Sequence, residues 1–334
     1  MKILAVRMKT AFIIVLFSFF FFCAKSQTKI KSQKSTFKVV GYYFLKSALR
    51  DSSYADSNYL FLNKVTHLNI AFINPDSNGN FTQKFTIDTL VKKAHEKRVK
   101  VLASIAGGGI HEYYHSLLQK NNRKLFIGNL ISLVKEYNLD GVDVDLEGDD
   151  IGRNYADFVT ELSAALKPLH KLMTAAIATA YKNELPDKAL RQFDFVNVMS
   201  YDNTGPWQPD DPGDHSPYSM AVEDLDYWHN KRAIPKNKLV LGLPFYGYGF
   251  GPKDSPVLSM DYKKIISLYP NAQLSDTLAL PGSMFLYFNN KEMIKRKTRL
   301  AMQKASGVMI WQLQGDAEGE NSLLDVIYDV VHGK

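Results

Sequence analysis

Between Asp140 and Glu147 the chain reads Asp-Gly-Val-Asp-Val-Asp-Leu-Glu, with acids and aliphatics in strict alternation. On an extended strand the period of two puts Asp143, Asp145 and Glu147 on one face and Val142, Val144 and Leu146 on the other. If the aliphatic face meets helices, the three carboxylates turn inward together. Like charge and desolvation then both push protons back onto them. One of the three is expected to hold its proton near neutral pH, which is the property a general acid needs. Glu147, the longest and the nearest to the C-terminal end of the strand, is the candidate. A calcium loop is the competing reading of the stretch from Asp143 to Gly148. It fails at the twelfth position, where Asn154 stands in place of the required bidentate Glu, and its interleaved residues are apolar.

A second constellation, His111-Glu112-Tyr113-Tyr114-His115, spells a zinc-hydrolase signature, with Glu136 and then Asp140 placed where a third ligand and its partner would fall. Two features weigh against it. His111 comes one residue after the glycine run Gly107-Gly108-Gly109, and Asp140 already belongs to the carboxylate strand. Zinc hydrolysis through His111 and His115 therefore stays a minor alternative, and no metal or organic cofactor is expected. The same glycine run lacks the pattern of a phosphate-binding loop.

The elements that must position the acids alternate between strand-like and helix-like periods. Strands are expected over 37–43, 65–73, 99–105, 139–147, 172–180, 193–201, 239–246 and 307–313. Amphipathic helices are expected over 87–98, 125–137, 155–169, 222–231, 293–304 and 323–331. Eight strands in this rhythm point to an α/β fold of the closed (β/α)8 TIM-barrel type, as one domain over 37–334. Between the seventh and eighth strands the chain is expected to be turn-rich around Gly251-Pro252 and Pro281-Gly282, with one short extra helix over 262–268. A shallow, open groove follows from that expectation.

The carboxylate strand resembles the Asp-Gly-x-Asp-x-Asp-x-Glu strand of glycoside hydrolase family 18. Ser104-Ile105-Ala106-Gly107-Gly108 is similar to that family's Ser-x-Gly-Gly strand, with Ala106 departing from it. Val198-Met199-Ser200-Tyr201-Asp202 is similar to its Met-x-Tyr-Asp strand, and Leu241 to Gly247 and Gly307 to Trp311 to its last two. Gly41-Tyr42-Tyr43 and Ala71-Phe72 fit the first two. The resemblance implies a secreted, bacterial-like chitinase or endo-β-N-acetylglucosaminidase with a short or absent insertion domain. It implies cleavage of β-1,4-linked N-acetylglucosamine polymers or oligomers with retention, in which the substrate's own acetamido group is the nucleophile. Glu147 would be the general acid and base, Asp145 and Asp143 its supports, and Tyr201 the holder of the acetamido oxygen. Met199, Asp202 and Trp311 would line the sugar subsite, with Tyr42, Phe72 and Tyr246 along its wall. N-glycans or peptidoglycan are the alternative substrates, and a non-catalytic sugar-binding barrel is the alternative class.

The net charge of +7 does not indicate a nucleic-acid binder. Eight basic residues and no acid lie in the first 38 positions: Lys2, Arg7, Lys9, Lys25, Lys29, Lys31, Lys34 and Lys38. With these set aside the remaining body carries −1. Lys2, Arg7 and Lys9 precede an apolar run from Ala11 to Cys23, and Ala24-Lys25-Ser26 offers a small-x-small cleavage site. The run falls short of the roughly 20 residues of a spanning helix. Residues 1–26 thus read as a signal peptide and 27–36 as a polar tail, leading to a secreted or periplasmic monomer without a membrane span. Cys23, the only cysteine, offers lipid anchoring at the cell surface as the alternative. N-terminal sequencing of the exported protein is expected to begin at Gln27, and a diacylated Cys23 at the terminus would show a lipoprotein instead.

Overall fold

In a computed structural model the chain is described over residues 37–45, 59–109 and 111–334, which form one compact unit. The signal segment, the polar tail and Cys23 lie outside the described residues. Among these residues no helix is long and apolar enough to cross a membrane.

Eight parallel strands close into a barrel: β1 (Lys38–Phe44), β2 (His67–Ala71), β3 (Lys100–Ala106), β4 (Gly141–Asp145), β5 (Leu172–Ile177), β6 (Phe195–Val198), β7 (Leu239–Pro244) and β12 (Gly307–Trp311). Closure leaves no edge strand with unpaired backbone. The alternation along each strand sorts side chains into two cores. Val142, Val144 and Leu146 join the large outer cluster packed under the helices, whereas Val40, Tyr42, Phe195, Val240 and Met309 meet in the lumen. The expected helices form at Asp88–Glu96, Lys120–Glu136, Tyr155–Leu166, Tyr218–Asp226, Lys291–Lys304 and Leu323–His332. Local signals set several ends. Asn290 accepts from Met293 N at 2.9 Å to start one helix, and Ser322 accepts from Asp325 N at 3.1 Å to start the last, which stops at the left-handed Gly333.

Between β7 and β12 the expectation of turn-rich chain without an α+β wall is overturned. β8 (Tyr246–Phe250), β9 (Leu258–Asp261), β10 (Thr277–Leu280) and β11 (Met284–Phe288) form an antiparallel sheet in the order β10-β11-β8-β9, with the expected helix at Tyr262–Leu268. The turns are where they were expected, but they are hairpin turns: Gly282 and Ser283 take φ of 76° and 56° between β10 and β11. Short strands whose apolar residues face only a thin layer carry a weak periodic signal, which turn residues outweigh. The expected seventh strand also divides. β7 ends at Pro244, and Tyr246 opens a strand of the second sheet.

Ala106 stands where the family's strand carries glycine, and its φ is 69°. The left-handed region costs a Cβ-bearing residue about 1–2 kcal/mol. The surroundings impose it: Ala106 N lies 2.6 Å from Asn74 Oδ1 and 3.1 Å from the Tyr114 hydroxyl, and Asn74 Nδ2 donates to Ala106 O at 2.9 Å. Ala106→Gly removes the strain and adds about 0.5–1 kcal/mol of unfolded-state freedom. The variant is expected to gain up to about 1 kcal/mol, read as a Tm rise of about 1–2 °C in calorimetry. A Tm lowered by about 1–2 °C, the entropy cost with nothing to offset it, would show that the position is not strained.

Candidate active site

Parallel register sets the floor of the site. Asp143 on β4 lies opposite Ser104 on β3 and Thr174 on β5. All three point into the lumen, so Asp143 accepts from Ser104 Oγ at 2.8 Å, Thr174 Oγ1 at 2.5 Å and the Tyr42 hydroxyl at 2.6 Å. Asn197 Nδ2 is 3.3 Å away. Asp143 has no solvent exposure. Burial raises its carboxyl above the ordinary value, and these four donors work in the opposite direction.

Two residues further up the strand, Asp145 is buried and its Oδ1 has no hydrogen-bond partner among the described residues. Its carboxyl is driven well above the usual range by burial first, then by the charges of Glu147 and Asp143. Glu147 follows at the mouth. Burial, then Asp202, then Asp150, push it up to about 7. An orphaned carboxylate oxygen beside an acid that titrates near neutrality can share a proton or accept an N–H from a ligand.

A cavity of about 440 Å³ opens above them, lined by Tyr42, Asp145, Glu147, Met199, Tyr201, Asp202 and Trp311 from the expected set. The Tyr201 hydroxyl finds only Met309 Sδ, at 3.9 Å, so its donor is available to a ligand. Gly242 makes room for that ring: a Cβ there would stand 2.9 Å from Tyr201 Cε1 and 2.5 Å from Val198 O. The remaining expected residues stand back from the cavity. Asp143 lies beneath it. Phe72 packs on Trp311 with centroids 5.6 Å apart and occupies the space a side chain on Gly107 would need. Tyr246 stands behind Asp202 and donates to its Oδ1.

Other lining residues escaped the sequence reading: Gly108, Ala176, Ala178, Ala180, Tyr181 and Trp207. The alanines carry a usable signal, because small residues at every second position of β5 and its extension mark a face with open space above it. Trp207 carries another. It is the lone aromatic in the polar stretch 203–214 and is 55% exposed at the rim.

The zinc alternative does not assemble. His111 Nδ1 faces Asp150 at 3.3 Å. Glu136 takes Lys84, and Asp140 is engaged by His95, Lys100 and the backbone N–H of Val101. The would-be ligands therefore point to separate places.

Carboxylates rising up one strand to the C-terminal mouth of a (β/α)8 barrel, below a cavity walled by aromatic and small side chains, are the architecture of the barrel glycosidases. The chain belongs to the glycosyl hydrolases family 18, which matches residues 38–316. It is similar to the GH18 chitinase ChiB from the chitin utilization locus of Flavobacterium johnsoniae, at 37% identity and a TM-score of 0.80, covering 89% of this chain and 94% of that one. A chitinase from Bacteroides thetaiotaomicron matches at 28% identity and a TM-score of 0.76, covering 88% and 96%. A chitinase-like effector of Moniliophthora roreri is 27% identical over 62% of this chain, which spans 58% of that relative's length.

The raised acid links the site to stability. Glu147 has an ordinary value of 4.5 and reaches about 7 when folded. Below the lower value both folded and unfolded chains hold the proton and there is no penalty. As pH climbs through the window the unfolded chain releases its proton first, so stability falls, and the full penalty is present above the folded value. Glu147→Gln removes it. The variant is expected to match the native protein near pH 4 and to exceed it by about 3 kcal/mol near pH 8, read from denaturant unfolding across pH. A difference that does not vary with pH would refute the raised acid.

Proposed function

We propose that this protein is a chitinase-type glycoside hydrolase, cleaving β-1,4-linked N-acetylglucosamine polymers or oligomers with Glu147 as general acid and base. The observation that carries the reading is the pairing of Glu147, pushed up to about 7, with Asp145, which lines the same cavity and whose buried Oδ1 has no partner among the described residues. A retaining glycosidase of the ordinary kind needs a second, free carboxylate as nucleophile. Neither neighbour suits that role. Asp143 is enclosed by four donors, and burial together with the charges of Glu147 and Asp143 raises Asp145 well above the usual carboxylate range, which disfavours a bare anion there until a positive charge faces it.

Membership of family 18, one of the exceptions to two-carboxylate retention, supports assigning the nucleophile to the substrate. The acetamido oxygen attacks the anomeric carbon while Glu147 gives its proton to the glycosidic oxygen, whose bond to that carbon breaks. Asp145 accepts the acetamido N–H and faces the positive oxazolinium ion, and Tyr201 donates to the acetamido oxygen. Water then attacks the anomeric carbon and gives a proton to Glu147 while the bond from that carbon to the acetamido oxygen breaks, so the acetamide is restored and configuration is retained. Trp311 and Met199 form the apolar floor under the sugar. Export through the N-terminal segment belongs to the same reading, since such polymers lie outside the cell. Relatives named chitinase-like make a sugar-binding barrel the second reading, and the complete acid series weighs against it.

Glu147→Gln is expected to lower turnover of fluorogenic N-acetylglucosamine oligomers by about 10² to 10⁴-fold, as loss of a general acid does. Asp145→Asn is also expected to be severely impaired, and oligomers lacking the N-acetyl group are expected to resist cleavage. Near-native turnover by folded Glu147→Gln would remove the assignment, and efficient hydrolysis of deacetylated glucosamine oligomers would remove the neighbouring-group mechanism.

A further inference from the structure

His215 lies in the stretch joining β6 to the helix Tyr218–Asp226, and nothing above gives it a role. Its side chain has no exposure, and neither ring nitrogen has a hydrogen-bond partner among the described residues. Two orphaned polar atoms in one buried ring are expensive unless something nearby completes them. The nearest acceptor is Asp202 Oδ1, 3.4 Å from His215 Nδ1. The imidazole packs in a three-ring cluster with Tyr246 and Tyr248, 4.9 Å from each centroid, the two tyrosine centroids lying 5.4 Å apart.

The backbone around it is pinned with unusual density. Asn203 N donates to His215 O at 2.9 Å, directly beside Asp202. Ser216 Oγ donates to Ser200 O at 2.7 Å, and Ser216 N is held by Asp214 Oδ1 at 2.9 Å. The buried Lys297 amine donates to Ser216 O at 2.5 Å and Ser216 Oγ at 2.7 Å, while Asn289 Nδ2 donates to Ser216 O at 3.0 Å. Asp202 by contrast sits at φ 63°, with its side chain 38% exposed at the cavity. A strained, half-open carboxylate thus faces a rigid wall made of Tyr246, Tyr248 and His215, flanked by Asp214 and Lys297.

We propose that His215 is a positioning residue for sugar binding: its Nδ1–H closes onto Asp202 Oδ1 and, together with the Tyr246 hydroxyl, leaves Oδ2 to accept a sugar hydroxyl in the cavity. Closing the bond takes a movement of a few tenths of an ångström, from 3.4 Å to ordinary hydrogen-bond length. Two donors on one oxygen fix the plane of the carboxylate, and a fixed acceptor loses less freedom when the sugar arrives. The proposal deepens the glycosidase reading and rests on it for the identity of the ligand.

Two measurements test it. In the free protein, ring nitrogen NMR is expected to show His215 as the Nδ1–H tautomer, its signal assigned by loss in His215→Phe and shifted in Asp202→Ala. An Nε2–H tautomer indifferent to Asp202→Ala would overturn the pairing whatever the substrate proves to be. In kinetics with chitotetraose, His215→Phe is expected to raise KM about tenfold or more, the scale of a hydrogen bond to a charged group, while kcat changes less than KM. His215→Gln, which keeps a donor, is expected to recover much of the loss. Equal failure of the Phe and Gln variants, or a loss that tracks a fall in Tm, would make His215 structural only. If the native protein neither binds nor cleaves N-acetylglucosamine oligomers, the glycosidase reading falls, and the NMR measurement still decides whether His215 holds Asp202.

Discussion

The barrel depends on one buried charge. Asp143 has no access to water, and its oxygens are answered from four other strands: Tyr42 on β1, Ser104 on β3, Thr174 on β5 and Asn197 on β6. A carboxylate in such a place is tolerable only when its donors are present and correctly aimed. The requirement ties five of the eight strands to one register, because a one-residue slip would turn the acid outward and its partners away. The polar layer therefore specifies how the apolar strands close, while the aliphatic contacts outside supply most of the stabilisation.

Above that layer the acids become progressively less satisfied. Asp143 has a full set of donors, Asp145 has an oxygen with none, and Glu147 reaches the mouth with its proton held near neutrality. The gradient runs along a single segment, from a structural carboxyl to a reactive acid, and it arises from burial, from the donors that surround Asp143 and from the acids around Asp145 and Glu147. The native state bears the expense of three raised carboxyls and a left-handed Ala106 beside them. Strain of this kind persists where surrounding contacts over-determine it, and here they come from Asn74 and Tyr114.

The mouth is built differently from the floor. Its acid Asp202 does not come from the carboxylate strand, and it is shaped by parts distant in sequence: β8 of the small antiparallel sheet behind it, and the stretch from Asn203 to Pro217 beside it. Lys297 on a barrel helix and Asn289 at the end of β11 both fasten onto Ser216. Insertion, loop and barrel meet at this knot, so the sheet between β7 and β12 is part of the site's framework even though its side chains do not line the cavity.

Much of this was legible in the residues alone. The strict alternation from Asp140 to Glu147 determined which acids face inward, since the period of a strand admits only two faces, and the helix-strand rhythm was sufficient for the closed barrel. Glu147, Asp145, Tyr201, Asp202, Met199, Tyr42 and Trp311 all reach one cavity, as their motifs implied. Tertiary structure alone decided the rest. Whether Phe72 and Tyr246 face the cavity or stand behind it depends on packing against Trp311 and Asp202, which no spacing encodes. The second sheet was hidden because its four- and five-residue strands are short and their pairing is set by contacts across the layer. The place of His215 was hidden for a related reason: a histidine thirteen positions after Asp202 becomes its neighbour only when the intervening loop is folded back and tied to a helix some eighty residues away. Local periodicity determines which way a side chain points; what it meets there is fixed by the closure of the chain.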